Sequence, residues 1–479
     1  MTKINFSLSG GLSPAQIKDL HGAVLRVLGT TGLACAHRPT ADVVTAEGGV
    51  RYEAGRLKFA PELVEATIEQ VRTIGRQQQS QPRLSVTGPY NCFNIIDLDT
   101  NAVRATTAAD VVPMLKLVGS FNTWGPAPVY PGDLDPRLQV LWLEKTCLET
   151  TAGLGGLMTS HDPDIIRWLG RLYAAARKRY WLSLQFVISP LRLDHLALEL
   201  FWQFKDDPLV TVHADMYPIP VGGMTAPLTA PGLLAQSIAE SLGGWIVADR
   251  MNLITTGQRL PMRVDFGDMR DMTMGYSLPE NVMLQVLARQ VAEHFGGYLL
   301  DSIYLNSNAK RADSFAAVDR TAQMVLLGLA GFRQFYMGAG QLSMDEVFSP
   351  AQFVIDLEIG RYVQRLLDGI PWSGDAETIA ETIEEGAAEG NFLTHPSTLD
   401  ALPTFFDSQL FRRDNVGHWR SEGEPSVEQK AVARAREIID SYRFSLDAAL
   451  QEELDRVFSE ACRALGLNPA GQLRGTDGL

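Results

Sequence analysis

The sequence predicts an α/β fold, a (β/α)8 TIM barrel with an N-terminal α+β extension and C-terminal helices. Three observations predict it. From about residue 120, short apolar or β-rich runs alternate with helical patterns. Eight runs fall within roughly 280 residues, the number a closed barrel requires. The helical patterns carry their own punctuation: apolar positions 282, 283, 286, 287, 291 and 295 form a 3.6-residue stripe that Gly296 ends. A chain of 479 residues, 46% apolar, can also bury a core of that size. A large doubly wound sheet gives the same alternation and stands as the other arrangement.

The extension covers residues 1–110, the barrel 111–420 and the tail 421–479. Ser13 and Pro14 occupy N-cap and N1 of a first helix reaching about Leu28, where Gly29 can end it. A short hairpin around Gly55 precedes a helix started by Pro61. A second strand pair turns near Asp99–Asn101. The barrel strands are expected at 122–131, 152–160, 180–190, 209–221, 245–257, 296–305, 332–340 and 391–397. Helices are expected near 135–148, 162–178, 192–204, 231–243, 279–295, 313–330 and 350–368. In the tail, Ser426 and Gln429 make a capping box, and a helix with apolar positions 450, 454, 457, 458, 461 and 465 stops at Gly466.

Composition narrows the partners. The net charge is −14, so the basic footprint that phosphate backbones need is absent and nucleic acid is not expected. Four cysteines, none in a C-x-x-C pair, suit a reducing compartment. The N-terminal residues lack an apolar signal core, and no apolar run reaches the ~18 residues of a membrane helix. A cytoplasmic protein without membrane contact is expected.

A barrel places its chemistry at the carboxyl ends of the strands and in the loops that follow. That rule selects Tyr130 and Asp133, then Ser160, His161 and Asp162, then Ser189. It next selects the loop holding Gly222, Gly223, Met224 and Thr225. Asp265, Asp268 and Asp271 follow, then Asn306, Asn308 and Lys310. After the seventh strand come Met337, Gly338, Gly340 and Gln341, with Asp345 and Glu346, and His395 closes the ring. Simpler roles compete: Asp162–Pro163 suits an N-cap, Ser189–Pro190 a turn, and Lys310–Arg311 a loop charge cluster. Paired carboxylates on one face can do acid–base work. No H-x-H or H-E-x-x-H spacing occurs, so no directly bound metal is expected. The segment "PIPVGGMTAPLTAPG" (218–232) lacks a lysine, and its prolines remove amide donors, so it is a poor phosphate loop.

Several motifs, in order, resemble the trimethylamine methyltransferase (MttB-like) superfamily. They are "MYPIPVGGMTAPLTAPGLLAQSIAESLGG", "DMRDMTMGYSLPE", "NSNAKRADSFAAVDRTAQMVLLGLAGF", "YMGAGQLSMDEVFSPAQFVIDLEIGRYVQRLLDGI" and "GNFLTHPSTLD". The resemblance covers nearly the whole chain and is weakest over residues 1–80. It implies a TIM barrel that moves a methyl group from an amine to the Co(I) of a corrinoid (cobalamin) carried by a separate protein. The trimethylamine enzymes carry pyrrolysine near 300–340, and none stands here. The resemblance therefore implies a non-pyrrolysine member acting on glycine betaine or a related quaternary amine. Cation–π contacts from Tyr130, Tyr217, Tyr276, Tyr304 and Tyr336 would hold the ammonium. Asp345 and Glu346 depart from the family's usual run and add negative charge that could favour a cation. A betaine carboxylate needs a donor, for which His395, Asn308 and Lys310 are candidates, and Asp268 stands among the carboxylates of the same face. Gly222 and Gly223, with Met224, Thr225, Gly338 and Gly340, would let backbone approach a flat corrinoid. A homo-oligomer is expected. Two other classes stay open: a Schiff-base, aldolase-type barrel using Lys310, and a non-catalytic quaternary-amine binding protein.

Overall fold

Ser13, Pro14 and Gln16 start the first helix as their order implies. In the computed structural model, which describes residues 2–76, 83–121, 124–155, 160–255, 258, 260–296, 302–336 and 338–468, Ser13 and Gln16 form a capping box for helix Pro14–Arg26. The helix does not stop at Gly29. It continues as a π-helical turn, Val27–Thr31, and ends at Gly32, whose φ of 61° favours glycine. The hairpin around Gly55 forms from Val50–Glu53 and Arg56–Phe59, and helix Pro61–Arg76 follows.

The centre is mixed α/β with mainly parallel pairing. Tyr180–Gln185 runs parallel to Val210–Asp215, in register from Tyr180↔Val210 to Gln185↔Asp215. Val221–Gly222 pairs with the strand Asp265–Asp268. Ser302–Tyr304 pairs with Gln334–Tyr336, which pairs in turn with Ser85–Val86. Single parallel bridges join Gly125 to Leu154 and Cys92 to Val129. Helices separate these segments: Ala108–Gly119, Pro136–Thr150, Pro163–Ala175, His195–Phe204, Ala230–Arg250, Pro279–Gly296, Ser314–Leu329 and Pro350–Leu367. Asp135, Asp162, Asp194, Asp313 and Ser349 cap five of them by accepting amide hydrogens of the first turn.

Three expected strands are corrected, and in the first, 122–131, the described residues form only isolated bridges at Gly125 and Val129. Residues 245–250 belong to helix Ala230–Arg250, where Trp245, Ile246, Val247 and Ala248 are all buried. An apolar run of that length fits a buried helix as well as a strand. Gly243 and Gly244 do not break this helix; an added Cβ there would press on Leu33 and on Val187, so they mark close packing. Residues 391–397 form no strand either. His395 is the N-cap of helix Pro396–Ala401, its Nδ1 accepting the Ser397 amide at 3.2 Å. Part of the expected 152–160 and 296–305 strands, and Met337, lie outside the described residues.

The tail follows its caps. Val427–Ser441 starts at the Ser426–Gln429 capping box and packs on Pro350–Leu367. Ala448–Leu465 ends at Gly466 (φ 66°) and packs on Pro163–Ala175. Among the described residues, no helix is long and apolar enough to cross a membrane.

Candidate functional site

Four parallel strands end in side chains that face one cavity: Gln185, Asp215, Tyr304 and Tyr336. The cavity measures about 1300 Å³, and Tyr90, Trp124, Tyr217, Arg263, Tyr276 and Asp345 also line it. Along a strand, alternate residues point to one side, so Trp181 and Ser183 face the same way as Gln185, and His213 the same way as Asp215; all five line the cavity.

The inner wall is aromatic. Trp124 stacks on Tyr336 with ring centres 5.4 Å apart and planes 21° apart. Tyr304 meets Tyr336 edge-to-face at 5.6 Å and Tyr217 at 5.9 Å. Such offset and edge contacts fix ring planes without closing every ring face. The Arg263 guanidinium lies 4.5 Å from the centre of the Tyr304 ring. Its Nε donates to Asp265 Oδ2 at 2.7 Å and one terminal nitrogen donates to the Tyr276 hydroxyl at 3.2 Å. Burial would lower the Arg263 pKa, but the facing Asp265 carboxylate and the tyrosines raise it, so the side chain stays charged. Burial pushes Tyr304 up to about 12 and raises Tyr217, Tyr276 and Tyr336, so all four hydroxyls are protonated at neutral pH.

Two further carboxylates face this wall. Asp215 is raised from 3.8 to about 6 by burial, against an amide hydrogen bond from Tyr217 at 3.0 Å. Asp345 is likewise raised to about 6 by burial, against the charges of Arg263 and Arg320. Its Oδ1 is sealed from solvent and has no hydrogen-bond partner among the described residues. Asp345 sits on an uncommon backbone: Ser343, Met344 and Asp345 have φ values of 53°, 59° and 73°. The turn is pinned from outside itself, with Ser343 and Met344 amides donating to Ala309 and Ser307 carbonyls at 2.8 and 2.9 Å.

A buried ion pair holds the base of that segment. Arg320 donates to the carbonyls of Leu305, Gly338 and Gln341, and its Nε lies 3.5 Å from Asp356. Asp356 accepts the Gly340 amide and the Gln352 side chain, both at 2.7 Å. A second brace sits beside Tyr276: Asn308 accepts the Ser277 amide at 2.8 Å, and the Ser277 hydroxyl donates to Asp319 at 2.6 Å.

Of the residues the sequence singles out, His161, Tyr217, Tyr276, Tyr304, Tyr336, Gln341 and Asp345 meet at the cavity. Asp265 stands behind them through Arg263. Tyr130 is buried against Phe93 and is not among the lining residues. Glu346 is exposed, Lys310 is exposed, and Asp268 accepts the Arg270 amide of its own turn. His395 faces Glu385 at 3.3 Å, away from the cavity lining. The Gly222–Thr225 loop is closed on itself: the Val221 carbonyl accepts three successive amides, of Met224, Thr225 and Ala226. The Thr225 hydroxyl accepts the Val221 amide at 2.9 Å, and Met224 is exposed. The space beside Gly338 is filled by the Leu305 carbonyl and beside Gly340 by Phe348 and Phe353. Among the described residues, metal-ligand spacing occurs at Asp414, His418 and Glu422 on the surface, where Arg412 already bridges both carboxylates.

The sequence reading missed Tyr90, Trp124, Asp215 and Arg263. Arg263 and Asp265 had a signal: two charges at i and i+2 inside the apolar run "LPMRVDFG" would share one face and become buried together.

The profile of the family described as Trimethylamine methyltransferase (MTTB) matches residues 4–460. A protein of Desulfitobacterium hafniense named trimethylamine methyltransferase MttB is 24% identical over 463 residues, 90% of this chain and 90% of its own length. Proteins of the same name from Methanosarcina barkeri and Methanosarcina thermophila are 26% and 25% identical over 250 and 285 residues, covering 49% and 57% of their lengths. With its matched span reaching nearly end to end, this chain belongs to the trimethylamine methyltransferase family.

Proposed function

We propose that the protein is a corrinoid-dependent methyltransferase, moving a methyl group from a small quaternary amine, with glycine betaine, carnitine and choline as candidates, to the Co(I) of a corrinoid held by another protein. The observation that carries this is the wall of Trp124, Tyr217, Tyr304 and Tyr336 around one cavity, beside the carboxylates of Asp215 and Asp345. Aromatic faces and buried carboxylates are what a quaternary ammonium needs, because it has no N–H to donate. We read the alternating β/α units as a barrel; the parallel pair between Gln334–Tyr336 and Ser85–Val86, which joins late strand to early strand, supports that reading.

In the reaction the N–CH3 bond breaks and its electron pair stays on nitrogen. The Co(I) corrinoid, a co-substrate, supplies the pair that takes the methyl group. The amine leaves neutral, so no proton has to reach it. The chain's task is orientation and dryness. Ring faces hold the ammonium, while the buried tyrosine hydroxyls stay protonated and cannot themselves take a methyl group as phenolates. Tyr90, Trp124, Trp181, Leu196 and Ile219 line the cavity yet are 38–51% exposed, an apolar rim on which a carrier protein can seat. The glycines once expected to bed the corrin are filled by the chain's own atoms, which also favours an acceptor brought from outside.

The test mixes the protein with cob(I)alamin and a panel of glycine betaine, carnitine, choline and a sulfonium compound. Formation of the methylcobalamin spectrum with one of them is expected. If none methylates the cobalt while calorimetry still detects binding, the protein is a binding module and the transfer reading fails.

A further inference from the structure

Ring faces do not distinguish a betaine from a choline, since both present the same trimethylammonium. The rest of the wall does. Taking the cavity as the ammonium site proposed above, we propose that it selects amines of net positive charge over zwitterionic betaines, with Asp345 as the residue that sets this preference.

The charges at the aromatic end do not balance. Arg263 is the cation there among the described residues, and it is already engaged by Asp265, Tyr276 and the Tyr304 ring. Asp215 and Asp345 are additional to that pair. With all groups ionised, and Arg320 offset by its own partner Asp356, one positive charge faces three negative ones. A betaine carboxylate entering this wall meets two carboxylates, and at Arg263 shares a guanidinium whose charge Asp265 already offsets. A hydroxyl in the same place meets no such repulsion, and the positive charge of the ligand is left uncompensated for the wall to satisfy.

Two other cations, Lys178 and Arg179, line the same cavity. They precede the strand Tyr180–Gln185, whose far end pairs with Asp215. Five residues of strand rise put roughly 16 Å between its two ends, beyond the ~8 Å screening length of physiological salt. Their side chains donate instead to the carbonyls of Ala152 and Pro208.

Asp345 adds a carboxylate that the fold leaves incompletely compensated. Its Oδ1 is fully buried with no hydrogen bond, although a buried carboxylate oxygen is normally satisfied. The turn that aims it takes three successive left-handed residues, pinned by Ser307 and Ala309. Such a backbone is kept against its cost when the position of the side chain matters.

The experiment is calorimetry on the full chain at pH 8 with choline and with glycine betaine, which differ mainly in that hydroxyl against carboxylate. Choline is expected to bind at least tenfold more tightly. In Asp345→Asn, which keeps size and tolerates the left-handed backbone, choline should weaken about tenfold and the gap between the ligands should shrink. Circular dichroism and the thermal midpoint check that the variant is folded, and Asp345→Gly serves if it is not. Equal or tighter binding of glycine betaine, or an Asn variant with an unchanged preference, overturns the proposal. Cobalt methylation is read separately. Transfer from glycine betaine alone would sink the charge preference and leave the methyltransferase reading standing. Preferred binding of choline without any methylation would do the reverse.

Discussion

Two acidic groups, the buried Asp356 and the half-buried Asp345, lie on either side of one short segment and have opposite fates. Asp356 is saturated: Arg320, the Gly340 amide and Gln352 occupy it. Asp345, five residues after Gly340 in the chain, keeps an oxygen with no partner among the described residues. Both are raised by burial, the shared cause. The difference teaches how to separate a structural charge from a functional one. The structural carboxylate is surrounded by donors from its own fold. Asp345, proposed to meet the ligand, keeps one oxygen without a donor and lines a cavity with aromatic rings.

The comparison can be broken most severely at its saturated side. Arg320→Met leaves Asp356 buried without its cation, and is expected to cost 3–5 kcal/mol of stability. A chemical denaturation midpoint measures it; a loss under 1 kcal/mol would mean that the pair is not what holds the segment. Next comes the wall. Tyr304→Leu removes the ring under Arg263 and one cage face, and should weaken choline by roughly 1–2 kcal/mol, about tenfold, with little change in melting. Calorimetry beside a melting curve reads both.

The open side is sharpened by pH. Asp215 and Asp345 are raised from 3.8 to about 6, so folding favours their neutral forms. Their contribution to stability is present below 3.8 and is lost as pH rises through about 6. Cation binding needs the ionised forms and runs the other way. The groups that face Asp345 are Arg263, Arg320, Asp265, Tyr276, Tyr304 and Cys92; Asp215 is faced by the Tyr217 amide and by Tyr90, Tyr217, Tyr304 and Tyr336. Choline affinity should therefore climb between pH 5 and 7.5 in the wild type, and climb less in Asp345→Asn. A flat profile would remove both carboxylates from the site. A smaller effect is expected at His395→Ala: loss of an N-cap, about 0.5–1 kcal/mol of stability, with choline affinity unchanged. The smallest is Lys310→Ala. An exposed lysine away from the cavity should change stability by less than about 0.5 kcal/mol and methyl transfer not at all. Loss of activity there would revive a Schiff-base chemistry.

The helices were legible because their caps are local. Ser13, Asp162, Ser349 and Ser426 each announce a helix within four residues, and each caps one. The strand at 245–257 was misread because a fully buried helix and a buried strand share one signature, and because Gly243 and Gly244 pack against Leu33 and Val187 rather than end the helix. His395 was misread for a related reason: Thr-His-Pro is a helix start, and the predicted ring needed a strand there. The candidate site was half visible. Tyrosines at strand ends stand out; that four of them share a cavity with Trp124 and Arg263 depends on contacts between residues up to about two hundred positions apart, which no local pattern encodes.

The left-handed turn at Ser343–Asp345 also limits how this site can change over generations. Glycine, asparagine and aspartate adopt that backbone most readily, and β-branched residues least. Position 345 thus favours three settings, anionic, neutral polar and empty, over β-branched side chains. Relatives that take a differently charged amine would be expected to step between those settings rather than drift, and a saturation library there should yield few folded alternatives, each with a distinct ligand preference.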